Sequence, residues 1–146
     1  MKVADFIQSI FVGIFFVFIL MCVFWVAIFV NYIQFYGIKE FFNPFFGNVF
    51  NGVIFTLLVV IFGLGSMINF LAKILRVIYG VLLLFSLILF VPSLGKAVGG
   101  ILLGSKEVVL KNGEEIRVHS LYQNKFYIIY EEDKGDKKEL VYYERP

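Results

Sequence analysis

Few residues in this sequence have the chemistry of a reactive site. His119 is the single histidine, predicted on the solvent face of a strand, and Cys22 is the single cysteine, within the first apolar run. The acidic run at 131–136 lacks the alternating ligand spacing and the closing glutamate of a calcium loop. Phosphate-binding glycine loops and the His-x-x-x-His or Cys-x-x-Cys spacings of metal sites do not occur in the sequence. We therefore predict a protein that is not an enzyme and has no cofactor or metal.

One polar group stands out in the apolar part of the chain. Asn69, Lys73 and Arg76 are separated by four and then three residues, which places them on one face of a helix. We predict that they form a cationic helix face whose long side chains extend toward the membrane surface. The alternative is an ion or lipid-headgroup site within the membrane, because an intramembrane charge is costly unless it has a function.

The distribution of charged residues along the chain predicts the two regions of the protein. The 146 residues are 60% apolar and 16% charged, whereas a soluble domain is about half apolar and a quarter charged. Residues 1–105 hold only seven of the charges. We predict a polytopic α-helical membrane protein, with a transmembrane region at 1–105 and a soluble β tail at 106–146. The net charge of +2, without a basic cluster, excludes nucleic-acid binding.

Three apolar runs predict three transmembrane helices, since about 20 apolar residues cross a bilayer. The predicted spans cover about 6–30, 53–71 and 77–95, and Pro92 is expected to kink or end the third. The connection at 31–50 is rich in phenylalanine and tyrosine, side chains that favour the headgroup zone. A simple loop with a bias toward phenylalanine is the alternative interpretation of that connection.

Four glycines after Pro92 are candidates for helix packing. They have the small-xxx-small spacing that lets two helix backbones approach closely, and they are Gly95, Gly99, Gly100 and Gly104. The sequence leaves open whether this stretch extends the third span or lies at the interface.

The tail alternates between apolar and polar residues, which predicts a four-stranded antiparallel β-meander. We predict a three-residue turn at 111–113, because that register gives one apolar face where a two-residue Asn-Gly turn scatters it. The predicted face consists of Val108, Leu110, Ile116 and Val118. About forty residues of sheet bury too little surface to be stable alone. The tail is therefore expected to dock on its own helices, on another copy or on another protein.

These expectations favour a non-catalytic protein that acts through protein–protein contacts. The leading hypothesis is an accessory or assembly subunit of a larger complex in the bacterial cytoplasmic membrane, with the bilayer and other membrane proteins or itself as partners and no small-molecule substrate. One alternative is an immunity or exclusion protein against a toxin, phage or plasmid. Another is an oligomeric channel lined by Asn31, Asn51 and Asn69 or by the glycine faces. The positive-inside rule gives equal counts of basic residues on the two sides. The compact Lys73/Arg76 pair and the almost uncharged connection at 31–50 give a slight preference for an external tail.

Overall fold

The computed structural model describes residues 3–145, in which five α-helices precede a four-stranded antiparallel sheet. A π-helical segment, Phe29–Ile33, continues the first helix. The helices are α1 (Val3–Ile28), α2 (Phe42–Val49), α3 (Gly52–Gly65), α4 (Asn69–Ile88) and α5 (Pro92–Leu103). The strands are β1 (Ser105–Lys111), β2 (Glu114–Gln123), β3 (Tyr127–Lys134) and β4 (Lys137–Glu144), paired in sequence order.

Two helices are long and apolar enough to cross a membrane. They are α1 with its π-helical segment, 31 residues in all, and α4 with 20 residues. The α2–α3 pair qualifies only if its two helices, bent by 77° at Phe50–Asn51, form one broken span. The prediction of membrane-spanning helices is thus confirmed in its coarse form, as two or three helices of suitable length and composition.

The predicted limits of the second and third spans are wrong. The second, at 53–71, ends early because the chain leaves α3 at Gly65 through a tight turn, in which the Ser66 amide bonds the Gly63 carbonyl. The third, at 77–95, begins earlier, at Asn69, and ends at Ile88. Of the two outcomes expected at Pro92, a kink or a helix end, the structure shows a helix end, since α4 stops at Ile88. Pro92 lies in the first turn of α5. Backbone N–H groups in a first turn have no partner within the helix, so proline costs no hydrogen bond there.

Small residues bring α1 and α3 together. A Cβ atom added to Gly13 would lie 2.6 Å from the Val59 carbonyl oxygen and 2.9 Å from the Gly63 Cα. Only a residue without a side chain allows the two backbones to approach so closely. Tyr79 of α4 packs on the same region of α1, where its hydroxyl donates to the Phe16 carbonyl at 3.1 Å.

The turn between β1 and β2 has two residues, so the predicted three-residue turn is wrong. Val109 faces Ile116, and Val108 faces Arg117. Asn112 and Gly113 both have positive φ, 55° and 85°, which is the backbone of a turn that matches the twist of a hairpin. Asparagine and glycine tolerate that conformation, so turn chemistry decides the register here.

The sheet curls and forms a small core of its own. In a flat sheet of this strand order, β1 and β4 would lie about 14 Å apart, at three strand spacings. Here the Leu110 amide donates to the Tyr143 hydroxyl of β4 at 3.4 Å, and Lys111 pairs with Glu132 of β3. The concave face encloses Val109, which is 1% exposed. This sheet core consists of Val109, Ile128 and Tyr130, with Ile116, Val118, Val141 and Tyr143 packed against it.

Candidate functional site at the helix-sheet junction

The opposite face of the sheet packs on the ends of the helices. The buried cluster formed there, which we call the junction, joins α1, α2 and the α4–α5 connection to β2 and β3. Its buried members are Ala27, Ile28, Phe29, Tyr32, Ile33, Ile38, Phe45, Leu89, Leu121, Tyr122 and Ile129. The tail was expected to dock on its own helices, on another copy or on another protein. In the structure it docks on its own helices.

A β-bulge turns the sheet toward the helices. Ser120 pairs with Tyr130 and Tyr122 pairs with Ile129, so Leu121 is an extra residue in β2. Both Leu121 and Tyr122 are buried in the junction. The bulge thus supplies two adjacent side chains where a regular strand would supply one.

Two polar side chains of the π-helical segment connect it to the rest of the chain. The Tyr32 hydroxyl donates to the Leu121 carbonyl at 2.9 Å, and the Asn31 amide donates to the Leu89 carbonyl at 2.9 Å. Both bonds are buried, where an unpaired carbonyl would be costly. Asn31 therefore fixes the end of α4 to α1.

Two of the predicted packing glycines lie against this same segment. A Cβ on Gly99 would lie 2.6 Å from the Tyr32 Cγ, and a Cβ on Gly95 would lie 2.7 Å from the Asn31 Cβ. Gly100 has more room, with the nearest Tyr32 atom at 3.6 Å. Gly104 ends α5, close to the Gly100 carbonyl and to the His119 ring. These four glycines thus pack within the chain itself.

Asparagine side chains connect the α2 side of the junction to the sheet. The Asn48 amide donates to the Gln123 carbonyl at 2.9 Å and to the Tyr122 hydroxyl at 3.3 Å. The Asn124 amide donates to the Glu40 carboxylate at 3.0 Å. Burial, and then the negative charge of Glu40, raise the pKa of the Tyr122 phenol above its ordinary value, which further favours the protonated phenol.

A polar groove of about 510 Å³ lies beside the junction. Lys96, His119 and Glu131 line it together with Tyr32 and Tyr36. The Lys96 ammonium stands 4.0 Å above the centre of the Phe35 ring, a cation–π contact. These side chains can bind polar groups. Among residues 3–145, no three histidine, cysteine or acidic side chains are grouped to hold a metal ion.

The predicted cationic face is far from this junction. Asn69, Lys73 and Arg76 are exposed on the first two turns of α4, at the opposite end of that helix from Leu89. The structure therefore does not bring these three residues to the sheet.

The predicted apolar face of the sheet is divided. Ile116 and Val118 pack on the sheet core, but Val108 and Leu110 point the other way and are 52% and 54% exposed. The prediction that all four share one face is wrong, because the shorter turn shifts β1 by one residue relative to β2.

Several residues that build the structure were missed by sequence reasoning. The long-range bonds of Asn48 and Asn124 carry no local signal, because their partners are more than seventy residues away. Gly13 could have been found, since Ser9 and Gly13 have the same four-residue spacing as the other packing residues and both are buried. Asn51, assigned to a pore lining, caps α3 by accepting from the Val53 and Ile54 amides.

We compared the chain with protein-family models, with curated protein sequences and with solved structures, and found no match in any of the three.

Proposed function

We propose that this chain is a non-catalytic integral membrane protein that serves as an accessory or assembly subunit of a larger bacterial membrane complex. In this proposal the helices lie in the bilayer, and the sheet, held at a fixed position on their ends, presents a strand edge to a partner.

Insertion into the bilayer is supported by the helix surfaces. Large apolar side chains cover the outside of α1, α3 and α4, among them Phe11, Val53, Phe70, Val77 and Val81, each at least 60% exposed. Soluble monomers rarely expose a continuous apolar patch beyond a few hundred Å². A lipid environment would cover these side chains.

The observation that carries the proposed interaction is the outer surface of β1. This strand is at the edge of the sheet, where it pairs only with β2. Val108 and Leu110 are on the face that also docks on the helices, but they lie beyond the docked part and are exposed. An edge strand with exposed apolar side chains is a template for a strand from another protein. Its main chain would extend the sheet at Lys106 and Val108, because the Leu110 amide already donates to the Tyr143 hydroxyl.

The test is a charged double variant, Val108→Glu with Leu110→Lys. Val108 faces Arg117 and Leu110 faces Glu115. The new charges would form opposite-charge pairs across the strands, which keeps the hairpin stable while removing the apolar surface. We expect proteins that co-purify with the wild type from native membranes, identified by mass spectrometry, to be lost from this variant.

Phe126→Ser is the matched control, because Phe126 is another exposed apolar residue of the tail and lies in the turn between β2 and β3, where its carbonyl accepts from the Arg145 amide. It should retain the same partners. If the wild type purifies without any stoichiometric partner, or if the double variant keeps every partner, the subunit proposal is contradicted.

The side of the membrane on which the sheet lies depends on how many times the helices cross the bilayer. Three crossings, with α2 and α3 counted as one broken span, would place residue Val3 and the sheet on opposite sides of the membrane. We propose the external side for the sheet. A Lys137→Cys substitution in a Cys22→Ser background should then react with a membrane-impermeant maleimide in intact spheroplasts. Labelling only after lysis would contradict this orientation.

A further inference from the structure

A second groove lies at the other end of the helices. It has a volume of about 440 Å³ and is formed by α1, α3 and α4. Gly13 of its wall is 16 residues before Phe29 of the junction, about 24 Å along the α1 axis. The groove is therefore separate from the junction and from the edge of β1.

The walls of this groove are apolar. They include Val12, Phe16, Phe62 and Leu75. Two hydroxyl groups also line it, but each donates within the chain, the Ser66 hydroxyl to the Gly63 carbonyl at 2.6 Å and the Tyr79 hydroxyl to Phe16. An apolar cavity of about 150 Å³ already holds benzene, so this groove has room for part of an acyl chain.

Arg76 is the charged member of the groove lining. It lies seven residues into α4, about 10 Å from the start of the helix, and Lys73 is three residues earlier on the same face. Among residues 3–145, no carboxylate lies within 4 Å of either cation. With the helices in the bilayer as proposed, an anionic partner would stabilise an exposed guanidinium next to these apolar walls.

We propose that this groove is a binding site for an anionic phospholipid. The phosphate binds between Arg76 and Lys73, and one acyl chain follows the walls at Val12 and Phe16. Helical side chains lean toward the N-terminal end of their helix, so the Arg76 guanidinium extends toward the membrane surface at Asn69, where a headgroup lies. Arginine binds phosphate oxygens through two parallel hydrogen bonds, a geometry that suits this role.

The inference rests on the membrane insertion proposed above, and the test separates the two. The full chain is reconstituted in phosphatidylcholine nanodiscs with and without phosphatidylglycerol. Native mass spectrometry then measures the lipid that stays bound to the protein when it is released from the nanodisc. We expect phosphatidylglycerol to be retained by the wild type. The variant Arg76→Gln with Lys73→Gln should retain about tenfold less, because two charge-assisted contacts are lost.

Two further variants make the result specific. Lys125→Gln with Lys137→Gln removes two exposed charges from the sheet and should retain the lipid as the wild type does. Val12→Trp fills the groove but keeps both cations, and it should also lower retention. Equal retention by the wild type and the Arg76/Lys73 variant, or full retention by Val12→Trp, would overturn the lipid site.

Competition distinguishes a lipid from a free anion. Added inorganic phosphate should not displace the phosphatidylglycerol, because it lacks the acyl chain. Displacement by phosphate would overturn the lipid proposal in favour of a simple anion site. Carbonate extraction of native membranes tests insertion separately. Release of the wild type into the carbonate supernatant contradicts the proposed membrane protein, whereas loss of lipid retention alone contradicts only this inference.

Discussion

The two ends of the helical region are held together by different chemistry. At the junction with the sheet, asparagine and tyrosine side chains make long-range hydrogen bonds, as Asn31, Tyr32 and Asn48 do. At the far end, the helices meet through the glycines of α1 and α3 and through aromatic rings around Tyr79. Directional bonds fix the sheet at one position. Close backbone packing can hold helices together even in the proposed bilayer, where there is no hydrophobic driving force between them.

The largest loss of stability is expected at the far end of the helices, from the substitution Gly13→Leu. The new side chain would meet the backbone of Val59 and Gly63, which cannot move aside as a side chain can. We expect unfolding in detergent to become easier by about 3 kcal/mol or more. Gly80→Leu is the matched control, because no atom lies within 4 Å of a Cβ at that position. Equal losses in the two variants would contradict close packing at Gly13.

A smaller loss of stability is expected at the junction, from the substitution Gly99→Ala. Its Cβ would overlap the Tyr32 ring, whose hydroxyl is bonded to Leu121, so the ring cannot turn away without breaking that bond. We expect a loss of about 2 kcal/mol and faster proteolysis of the sheet. The adjacent Gly100→Ala has space for its methyl group and should have no such effect. If both alanine variants behave alike, α5 does not pack on Tyr32 as described.

Tyr32→Phe removes one hydrogen bond from the junction and leaves the buried Leu121 carbonyl without this donor. We expect a loss of about 1 to 2 kcal/mol in thermal or denaturant unfolding. Tyr79→Phe is the comparison at the far end. It should cost less, because its bond is exposed and the Phe16 carbonyl also lies within a helix. A larger loss for Tyr79→Phe would reverse the proposed difference between the two ends.

The smallest change in stability is expected from lowering the pH, through the Lys111–Glu132 pair of the sheet. The hydrogen bond from Lys111 lowers the pKa of Glu132 below its ordinary value of 4.5. Because the folded pKa is the lower one, the stabilisation is present above the ordinary value and is lost as the pH falls through the folded value. Glu132→Gln should remove this part of the acid sensitivity in thermal unfolding between neutral pH and pH about 3. Since both groups are exposed, the change should be small.

How much the sequence predicts depends on how local the determining signal is. Apolar composition predicted α1 and the presence of further long helices, but no charged residue or proline marks the turn at residues 66–68, so the second span was placed too long. Periodicity predicted four strands. It chose the wrong register, because Val108, Val109 and Leu110 are all apolar, so that apolar alternation fits either of two registers. The positive φ of Asn112 and Gly113 decided it instead.

The junction could not be predicted because its contacts are distant in sequence. The Tyr32 and Leu121 partners are 89 residues apart, and the aromatic bias of 31–50 was consistent with a headgroup segment as well as with a docking surface. The size argument correctly required a cover for the sheet. It could not identify the cover, because the buried area depends on which surfaces meet.

The central claim is that the sheet is fixed to the ends of its own helices. In a Cys22→Ser background, Asn48→Cys with Gln123→Cys places two thiols at positions where the Asn48 side chain now bonds the Gln123 backbone. Asn48→Cys with Lys137→Cys is the control, since Lys137 pairs with Lys134, about 23 Å along β3 from Tyr127. We predict that a short bismaleimide added to native membranes crosslinks the first pair within one monomer and leaves the second unlinked. A first pair that reacts only between chains, or not at all, would contradict the claim.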